Sequence, residues 1–425
     1  NLWKMDVQVE QALYMLYRSG DPNAHKQANA WLIAFQESPT AWPVARSLLR
    51  KDSLPEVQYF GAQTLRAICR RSYGGLPPEA RVRLREELLE DVFGSSNKPP
   101  SLASNTQVTL TQLCLAIAAA ALEDIQDTWK DVLKDLPARE RMAAHDRDYR
   151  PVLFEILALI PEEWESWDCP QVRKEMISRE LRQGSPVILK LIDDTCLQAL
   201  SSSSHQTPST ATLLVLDRAL KCMRSWVRFG IPYSELFSGT IISLLLVIAE
   251  SIRPLFKICI EVLTEIMDRP VNVVSHSSGI KLVIQQVAVL RPILAHAITE
   301  TNEEDARCIT LLAAAIIENQ SIVFGSDMRP VDLGILDLLL DCTSHPKSEI
   351  AELTLDAWYH LQDSLSDPAH TGPFIPVFER LVTVLLAQCT IPSAYVSSRQ
   401  TLDVEVLQSK DDFNSFRKYV ADTLM

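Results

Sequence analysis

The sequence has 425 residues, which is too many for a single hydrophobic core and well suited to a quasi-linear stack of small units. Only 12 residues are glycine, while leucine, alanine and glutamate are abundant, so the composition favours helices over sheets. The formal net charge of −13 argues against nucleic acid as the main ligand, because phosphates are bound by clustered lysines and arginines. The same charge favours a basic protein partner, although solubility alone accounts for it equally well.

Paired amphipathic segments, each of roughly 12–20 residues, recur along the whole chain with a period of roughly 40–50 residues. The pattern is clearest in four successive segments, Ala24–Glu37, Ala41–Leu49, Glu56–Ser72 and Pro78–Val92. Helix pairs at this period are typical of HEAT or armadillo repeats. The sequence therefore predicts an all-α fold, a right-handed α-solenoid (superhelix) of HEAT repeats built from antiparallel helix pairs. Such a solenoid presents a long surface that binds large partners.

Nine helix pairs are predicted, and short breaks rich in proline, serine, glycine or aspartate separate them. In chain order they are Val7–Arg18 with Asn23–Gln36, Ala41–Arg50 with Pro55–Ser72, Pro78–Phe93 with Thr106–Leu122, Ile125–Leu136 with Tyr149–Glu163, Gln171–Leu200 with Ala211–Phe229, Tyr233–Glu250 with Pro254–Met267, Gly279–Thr299 with Glu303–Val323, Val331–Thr343 with Ser348–Ser364, and Pro373–Cys389 with Asp412–Met425. Three longer breaks are predicted as loops, Gly94–Ser104, residues 201–209 and Thr390–Asp411.

Both ends of the chain depart from the repeat pattern. The opening NLWK, before Met5, looks foreign to it, and the last predicted helix ends at Met425 with no polar repeat to cover it. Because a solenoid needs a polar capping repeat at each end, we expect a fragment cut at a repeat boundary.

The nine cysteines are scattered and form no CxxC motif. Most lie in apolar helical segments, which is the pattern of free, buried thiols in a reducing compartment. No zinc site is predicted, because the paired spacing that such sites need is missing. No uninterrupted apolar run approaches 18 residues and no secretory signal begins the chain, so we expect a soluble intracellular protein with no membrane partner.

Seven short motifs resemble one family, and they occur in the same order as in that family across nearly the whole chain. They are NAWLIAFQESPTAW (Asn29–Trp42), PEVQYFGAQTL (Pro55–Leu65), LIPEEW (Leu159–Trp164), CMRSWVRFGIP (Cys222–Pro232), ENQS (Glu318–Ser321), WYHLQDSL (Trp358–Leu365) and FRKYVADTLM (Phe416–Met425). The ordered set resembles the importin-β superfamily of nuclear transport receptors, or karyopherins. The departures are the NLWK leader, the insert Ser201–Ser204 and the absent C-terminal half, which puts cargo binding by this chain in doubt.

In that family the outer A helices of the repeats line the convex face and the inner B helices line the concave face. The resemblance implies that residues 1–136 are N-terminal HEAT repeats that bind Ran-GTP. Residues 137–425 are then further repeats of the same arch, with added Ran contacts near the seventh and eighth pairs. It also implies shuttling between cytoplasm and nucleus, contact with nuclear pore proteins, and no cofactor.

The motifs PEVQYFGA, ENQS, WYHLQD and DTLM favour the branch of the family that carries some cargoes inward and others outward. By resemblance, its cargoes include the exon-junction core heterodimer, the SUMO-conjugating enzyme and translation initiation factor 1A. One alternative is the branch that imports arginine–serine-rich splicing factors. Another, from a different class, is a HEAT scaffold whose partner binding ignores the nucleotide state of any GTPase.

The second inner helix carries four polar side chains that cannot all be buried, Gln58, Gln63, Arg66 and Arg70. Gln63, Arg66 and Arg70 are spaced i, i+3 and i+7, so they share one helix face. The family's placement of Ran makes this face a candidate stripe for contacting the GTPase. A merely solvated face explains the same pattern.

Further candidates lie on the first and third inner helices. Thr111 and Gln112 interrupt an otherwise apolar segment and are candidate contacts, although a threonine also bonds back to a backbone carbonyl. Gln27 is a candidate one turn before Trp31, for which we expect a place in the core because large aromatic residues usually anchor packing.

The seventh inner helix offers acidic candidates at both of its ends. At its start, Glu303, Glu304 and Asp305 complement the helix dipole, which explains them without any partner. Near its C-terminal end, Glu318 and Asn319 are better contact candidates, because an acid there opposes the dipole and residues that break a local preference often serve a function.

Catalytic motifs are missing from the sequence. It contains no phosphate-binding G-x-x-x-x-G-K-[ST], no G-x-G-x-x-G and no H-E-x-x-H. Ser344 and Lys347 match S-x-x-K, a spacing that is common by chance, and the companion motifs of that enzyme class do not occur. We therefore expect no enzyme activity and no metal site.

Overall fold

The computed structural model describes residues 2–50, 54–94, 104–143, 148–202, 208–238, 240–269, 273–320, 334–365, 372–390 and 414–421, and within these ranges it contains helices and no strand. The helices are α1 (Leu2–Arg18), α2 (Pro22–Gln36), α3 (Ala41–Arg50), α4 (Pro55–Arg71), α5 (Pro78–Phe93), α6 (Ser104–Asp124), α7 (Val132–Ala143), α8 (Arg150–Glu165), α9 (Gln171–Ser202), α10 (Thr210–Phe229), α11 (Tyr233–Ser238), α12 (Ile241–Ser251), α13 (Phe256–Met267), α14 (Val273–Val287), α15 (Arg291–Thr299), α16 (Glu303–Gln320), α17 (Gly334–Thr343), α18 (Ser348–Ala351), α19 (Leu355–Ser364) and α20 (Ile375–Gln388). A further helix, α21, covers residues 414–421.

The chain divides into two compact units. The first contains residues 1–192 and 221–230, and the second contains residues 193–220 and 231–425. The division therefore falls inside α9 and α10. The boundary predicted between residues 136 and 137 lies within α7 and inside the first unit.

The first unit is built from helix pairs in two parallel rows. Helices α1, α3, α5 and α7 form one row, which we call the A row, and α2, α4, α6 and α8 form the B row. Consecutive helices pack as pairs, and each B-row helix also packs on the next, α2 on α4, α4 on α6, and α6 on α8. This arrangement confirms the prediction of stacked HEAT-type helix pairs.

Local sequence signals explain where the early helices begin and how closely they approach. The Asp21 side chain accepts a hydrogen bond of 2.9 Å from the Asn23 backbone N–H and so caps α2, which starts at Pro22. Gly61, inside the PEVQYFGAQTL motif, lies where α4 crosses α3. A Cβ at this position would be 2.7 Å from the Ala45 carbonyl oxygen, so the crossing requires glycine.

A shared apolar core joins the first two pairs. Side chains from α1, α2, α3 and α4 meet in one cluster, which contains Val9, Leu13, Leu32, Phe35, Ala41, Val44, Leu48, Val57 and Phe60. Because no single pair has enough apolar surface to form a core alone, each repeat depends on its neighbour for stability.

A buried polar network closes the third pair. Asp124, at the end of α6, is fully buried and accepts hydrogen bonds from Arg81 and Arg85 of α5, with Arg85 Nη1 3.5 Å from Asp124 Oδ2. The Tyr73 hydroxyl is also buried and lies 2.8 Å from Asp124 Oδ2. Burial and this carboxylate raise the pKa of Tyr73, so the hydroxyl stays protonated and can donate. The network joins the turn after α4 to both helices of the next pair.

The second unit repeats the two-row arrangement. Its A row contains α11 with α12, α14 with α15, α17 and α20, and its B row contains α13, α16 and α19. Along the B row, α13 packs on α16 and α16 packs on α19. The predicted sixth, seventh and eighth pairs are therefore present in order, with the outer members of the sixth and seventh pairs and the inner member of the eighth broken into shorter helices; of the predicted ninth pair, α20 packs on α17 and α21 covers residues 414–421.

Two predicted boundaries are wrong. Helix α1 begins at Leu2, so Leu2–Lys4 continue the repeat pattern and are not foreign to it. Helix α7 covers Val132–Ala143, whereas Ile125–Leu136 was predicted. The carbonyl oxygen of Asp124 accepts hydrogen bonds of 2.9 Å from the N–H groups of both Asp127 and Trp129, which folds this segment into a turn before α7 starts.

Several predicted features lie partly or wholly outside the described residues. They are the loop 95–103, the serine-rich insert at 203–204, the long break 391–411, Ser321 of the ENQS motif and the final residues 422–425.

All nine cysteines are free thiols, and Cys69, Cys114, Cys196, Cys222, Cys259 and Cys342 are buried, as predicted. Burial raises the pKa of the Cys196 thiol to about 12, so this thiol is protonated and unreactive at neutral pH. Within the described ranges, no group of three or more histidine, cysteine, aspartate or glutamate side chains is placed to hold a metal ion.

One segment, Ile280–Thr299, has the length and the mean hydropathy, 1.4, of a membrane-crossing helix. It corresponds to part of α14, a 3-10 turn at Ala288–Leu290 and α15, and these helices pack on α17. A core helix of a helical repeat passes the same test of length and composition, so the segment carries no membrane assignment.

Candidate functional site

The three candidate residues at i, i+3 and i+7 share one face of α4 in the B row. Gln63 and Arg70 are exposed and Arg66 is half-buried. Gln58 is half-buried one turn and a half earlier on the same helix. The predicted stripe is therefore present as a continuous polar surface on α4.

The two arginines of this stripe are already engaged by helix α8. Arg66 Nη2 donates to Glu163 Oε1 at 2.9 Å, and Arg70 Nη1 donates to Glu163 Oε2 at 3.2 Å. Arg70 Nη2 also donates to the Ser166 carbonyl oxygen at 3.1 Å. We call Arg66, Arg70 and Glu163 the α4–α8 clasp. It passes over α6, which lies between α4 and α8 in the B row.

Helix α6 contributes its own polar residues beneath the clasp. Gln112 Oε1 accepts a hydrogen bond of 3.3 Å from Arg66 Nη1. The Thr111 hydroxyl donates to the buried carboxylate of Glu155 on α8 and not to a backbone carbonyl of its own helix. The same carboxylate accepts a hydrogen bond of 3.1 Å from Gln107 Nε2. Candidates on α4 and α6 thus contact two glutamates of α8, with Arg66 and Arg70 bonded to Glu163 and Thr111 bonded to Glu155.

Helix α2 places Gln27 on an exposed face. The expectation that Trp31 lies in the core is wrong, because 36% of its surface is exposed and it stacks on Phe35 with ring centroids 5.8 Å apart. Phe35 takes the core position, and Trp31 covers it. Gln27 and Trp31, one turn apart, therefore offer a mixed polar and aromatic surface in the first pair.

The acidic start of α16 is satisfied internally, which favours a structural role. Glu303, Glu304 and Asp305 form ion pairs with Lys347, Lys257 and Arg253, respectively. These pairs join α16 to its neighbours.

The other end of α16 holds Glu318 and Asn319. Asn319 Nδ2 donates to Asp268 Oδ1 at 3.2 Å. Glu318 is half-buried, and its pKa is raised because burial disfavours the charged form and the Asp356 carboxylate repels it. This carboxyl group lies in the second unit, whereas the clasp lies in the first.

Replacing Glu318 with Gln is expected to stabilise the second unit slightly at pH 7. The raised pKa means that the folded state holds a proton that the unfolded state releases, so the wild-type carboxyl lowers stability as pH rises through its titration range. The gain should be below about 1 kcal/mol and should vanish near pH 4. Urea denaturation at both pH values measures it, with the exposed Glu352→Gln as control. An equal gain at both pH values would contradict this explanation.

Four residues of this network were missed from the sequence, Gln107, Glu155, Glu163 and Ser166. A usable signal existed for Glu163, which lies in the last turn of α8, where an acid opposes the helix dipole. The same argument selected Glu318 on α16. No local pattern marks Glu155, because only the packing of α6 on α8 brings Thr111 and Gln107 to it.

Three family profiles match successive parts of the chain. The importin-beta N-terminal domain matches residues 28–92, the exportin 1-like protein matches residues 106–263, and the transportin-3/importin-13 second TPR domain matches residues 301–387. The chain is 27% identical to importin-13 from Bos taurus over 435 aligned residues, which cover 98% of the chain and 42% of that relative.

The chain is thus similar to importin-β-type karyopherins along most of its length. It is also 27% identical to transportin MOS14 from Arabidopsis thaliana, over 98% of the chain and 43% of that relative. It thus spans less than half the length of the curated relatives that it matches. These relatives are named as importins and transportins.

A solved structure supports the same fold. It is a structure of Kap95p, whose binding induces the switch loops of RanGDP to adopt the GTP-bound conformation. The match has a TM-score of 0.56 at 15% identity and covers 98% of this chain and 45% of the other. In this chain, α4 falls in the matched importin-beta N-terminal domain, and α8 falls in the matched exportin 1-like region. The α4–α8 clasp therefore connects the two family regions.

Proposed function

We propose that the chain is part of a nuclear transport receptor and that the B row of its first unit binds GTP-loaded Ran. The observation that carries this proposal is the polar stripe of Gln63, Arg66 and Arg70 on α4, inside the region that matches the importin-beta N-terminal domain; Gln112 on α6 accepts a hydrogen bond from Arg66. Arginine side chains on a rigid helix suit recognition of carboxylates on a folded partner. In this proposal Gln27, Gln58 and Thr111 are further contacts in the first unit, and Glu318 and Asn319 supply the added contact in the second unit.

The proposed receptor shuttles between cytoplasm and nucleus, contacts nuclear pore proteins and carries protein cargo in the manner of importin-13, with Ran-GTP setting the direction. Cargo binding and Ran binding are then two sites with a reciprocal coupling free energy. The second candidate is a transportin-3-like importer of arginine–serine-rich splicing factors. The matched second TPR domain is named after both transportin-3 and importin-13, so it supports the two candidates equally.

The test is direct binding of the chain to Ran, loaded once with a non-hydrolysable GTP analogue and once with GDP. We expect the GTP form to bind at least about tenfold more tightly, a difference of about 1.4 kcal/mol. The affinity should fall when the salt concentration is raised from 50 to 200 mM, because the contacting arginines are partly exposed and salt screens their charges. Equal binding of both forms would favour a nucleotide-independent scaffold, and no binding of either form would contradict the proposal for this chain.

A further inference from the structure

The arginine pair that the proposed function assigns to an acidic partner already holds an internal carboxylate. Arg66 and Arg70 donate one hydrogen bond each to the two oxygens of Glu163, at 2.9 and 3.2 Å. This is the geometry with which two arginines bind any carboxylate group. In the free chain, Glu163 therefore neutralises the positive charge of this arginine pair.

The members of the clasp differ in burial. The Glu163 side chain is 8% exposed, whereas those of Arg66 and Arg70 are 29% and 37% exposed. Because arginine side chains are long and these two lie on an open face, their guanidinium groups can turn towards solvent and form hydrogen bonds with water. Glu163 cannot follow them, since it is held beneath on α8. The arginines are thus the mobile half of the clasp.

The clasp also ties together helices that are not consecutive in the B row. Helix α4 packs on α6, and α6 packs on α8, so the ion pairs span a three-helix row. Breaking them removes a bond between the second and fourth pairs while both helix-to-helix packings stay in place. Small rotations between pairs are the usual way in which a solenoid changes curvature.

We infer that Glu163 is an internal competitor for the partner's acidic group, an inference that rests on the proposed Ran-binding function. In the free chain Glu163 occupies Arg66 and Arg70. On binding, a carboxylate of the partner takes both arginines, and α8 is released from α4. This exchange of ion pairs couples the binding of the partner on α4 to the distance between the second and fourth helix pairs.

Replacing Glu163 with Gln tests this inference, because the amide keeps the shape of the side chain and removes its charge. We expect the affinity for GTP-loaded Ran to rise about tenfold, since the partner no longer competes with an internal anion. The matched control is Glu165→Gln, an exposed acid in the same last turn of α8, which should leave the affinity unchanged. Hydrogen exchange of the last turn of α8 should become faster in Glu163→Gln without any partner, and in the wild type once Ran is added.

The outcomes separate the two proposals. If the wild type binds Ran and Glu163→Gln binds equally or more weakly, the competitor inference is overturned and the proposed function stands. If only Glu163→Gln binds Ran, the inference is supported in its strongest form. If neither binds, both fail. Unchanged exchange in α8 upon Ran binding would also overturn the release of α8.

Discussion

Replacing Arg66 and Arg70 together with glutamate is expected to reduce binding to GTP-loaded Ran by at least about a hundredfold, because central arginines often dominate the energy of such interfaces. Substitutions at exposed positions usually cost little stability, but these two arginines are held by Glu163. The two new carboxylates would lie beside Glu163, which is buried and would lose both of its cations. We therefore expect a loss of about 3 kcal/mol in the first unit.

A charge swap separates binding from stability. Adding Glu163→Arg to the double variant restores opposite charges across the clasp, so stability should recover while Ran binding stays lost. Arg71→Glu, on an exposed position of the same helix, is the control and should change neither property strongly. Binding by calorimetry and unfolding by urea measure the two effects. Recovery of Ran binding in the charge-swapped variant would show that the arginines act only through the fold.

Replacing Asp124 with Asn is expected to be among the most destabilising single substitutions in the first unit, by about 3–5 kcal/mol. Asp124 is fully buried and is the shared acceptor of Arg81, Arg85 and Tyr73. The neutral amide leaves two buried guanidinium groups without a full counter-charge. Arg81 keeps Asp127, and Arg85 keeps Thr128 and the ring of Trp129, but none of these contacts supplies a buried counter-charge, and both Nε atoms are already buried with no hydrogen-bond partner among the described residues.

The control for this prediction is Asp127→Asn. Asp127 also accepts a hydrogen bond from Arg81, but its side chain is 56% exposed, so its loss should cost below about 1 kcal/mol. Urea denaturation gives the total effect, and hydrogen exchange should localise it to α5 and α6, since stability in repeat proteins is a sum of local terms. Equal losses in the two variants would mean that burial of Asp124 does not decide its contribution.

The site residues show which features a sequence pattern predicts and which it does not. The shared face of Gln63, Arg66 and Arg70 follows from helix periodicity alone, and the structure has it on α4. The pairing of those arginines with Glu163 does not follow from it, because the partners are 97 and 93 positions apart in sequence. Trp31 failed for a related reason: its size predicts burial, but Phe35 on the same helix already fills the core position.

The sequence by itself determined the helix pairs, their order and the resemblance to karyopherins, because periodicity, caps and short motifs act within one or two turns of chain. It also determined that the cysteines are free and mostly buried. Only the tertiary structure decided which polar side chains are already satisfied, since stacked pairs bring together residues from the second and fourth repeats. Partner choice across repeats depends on the spacing of packed helices, and that spacing is a property of the whole stack and not of any local segment.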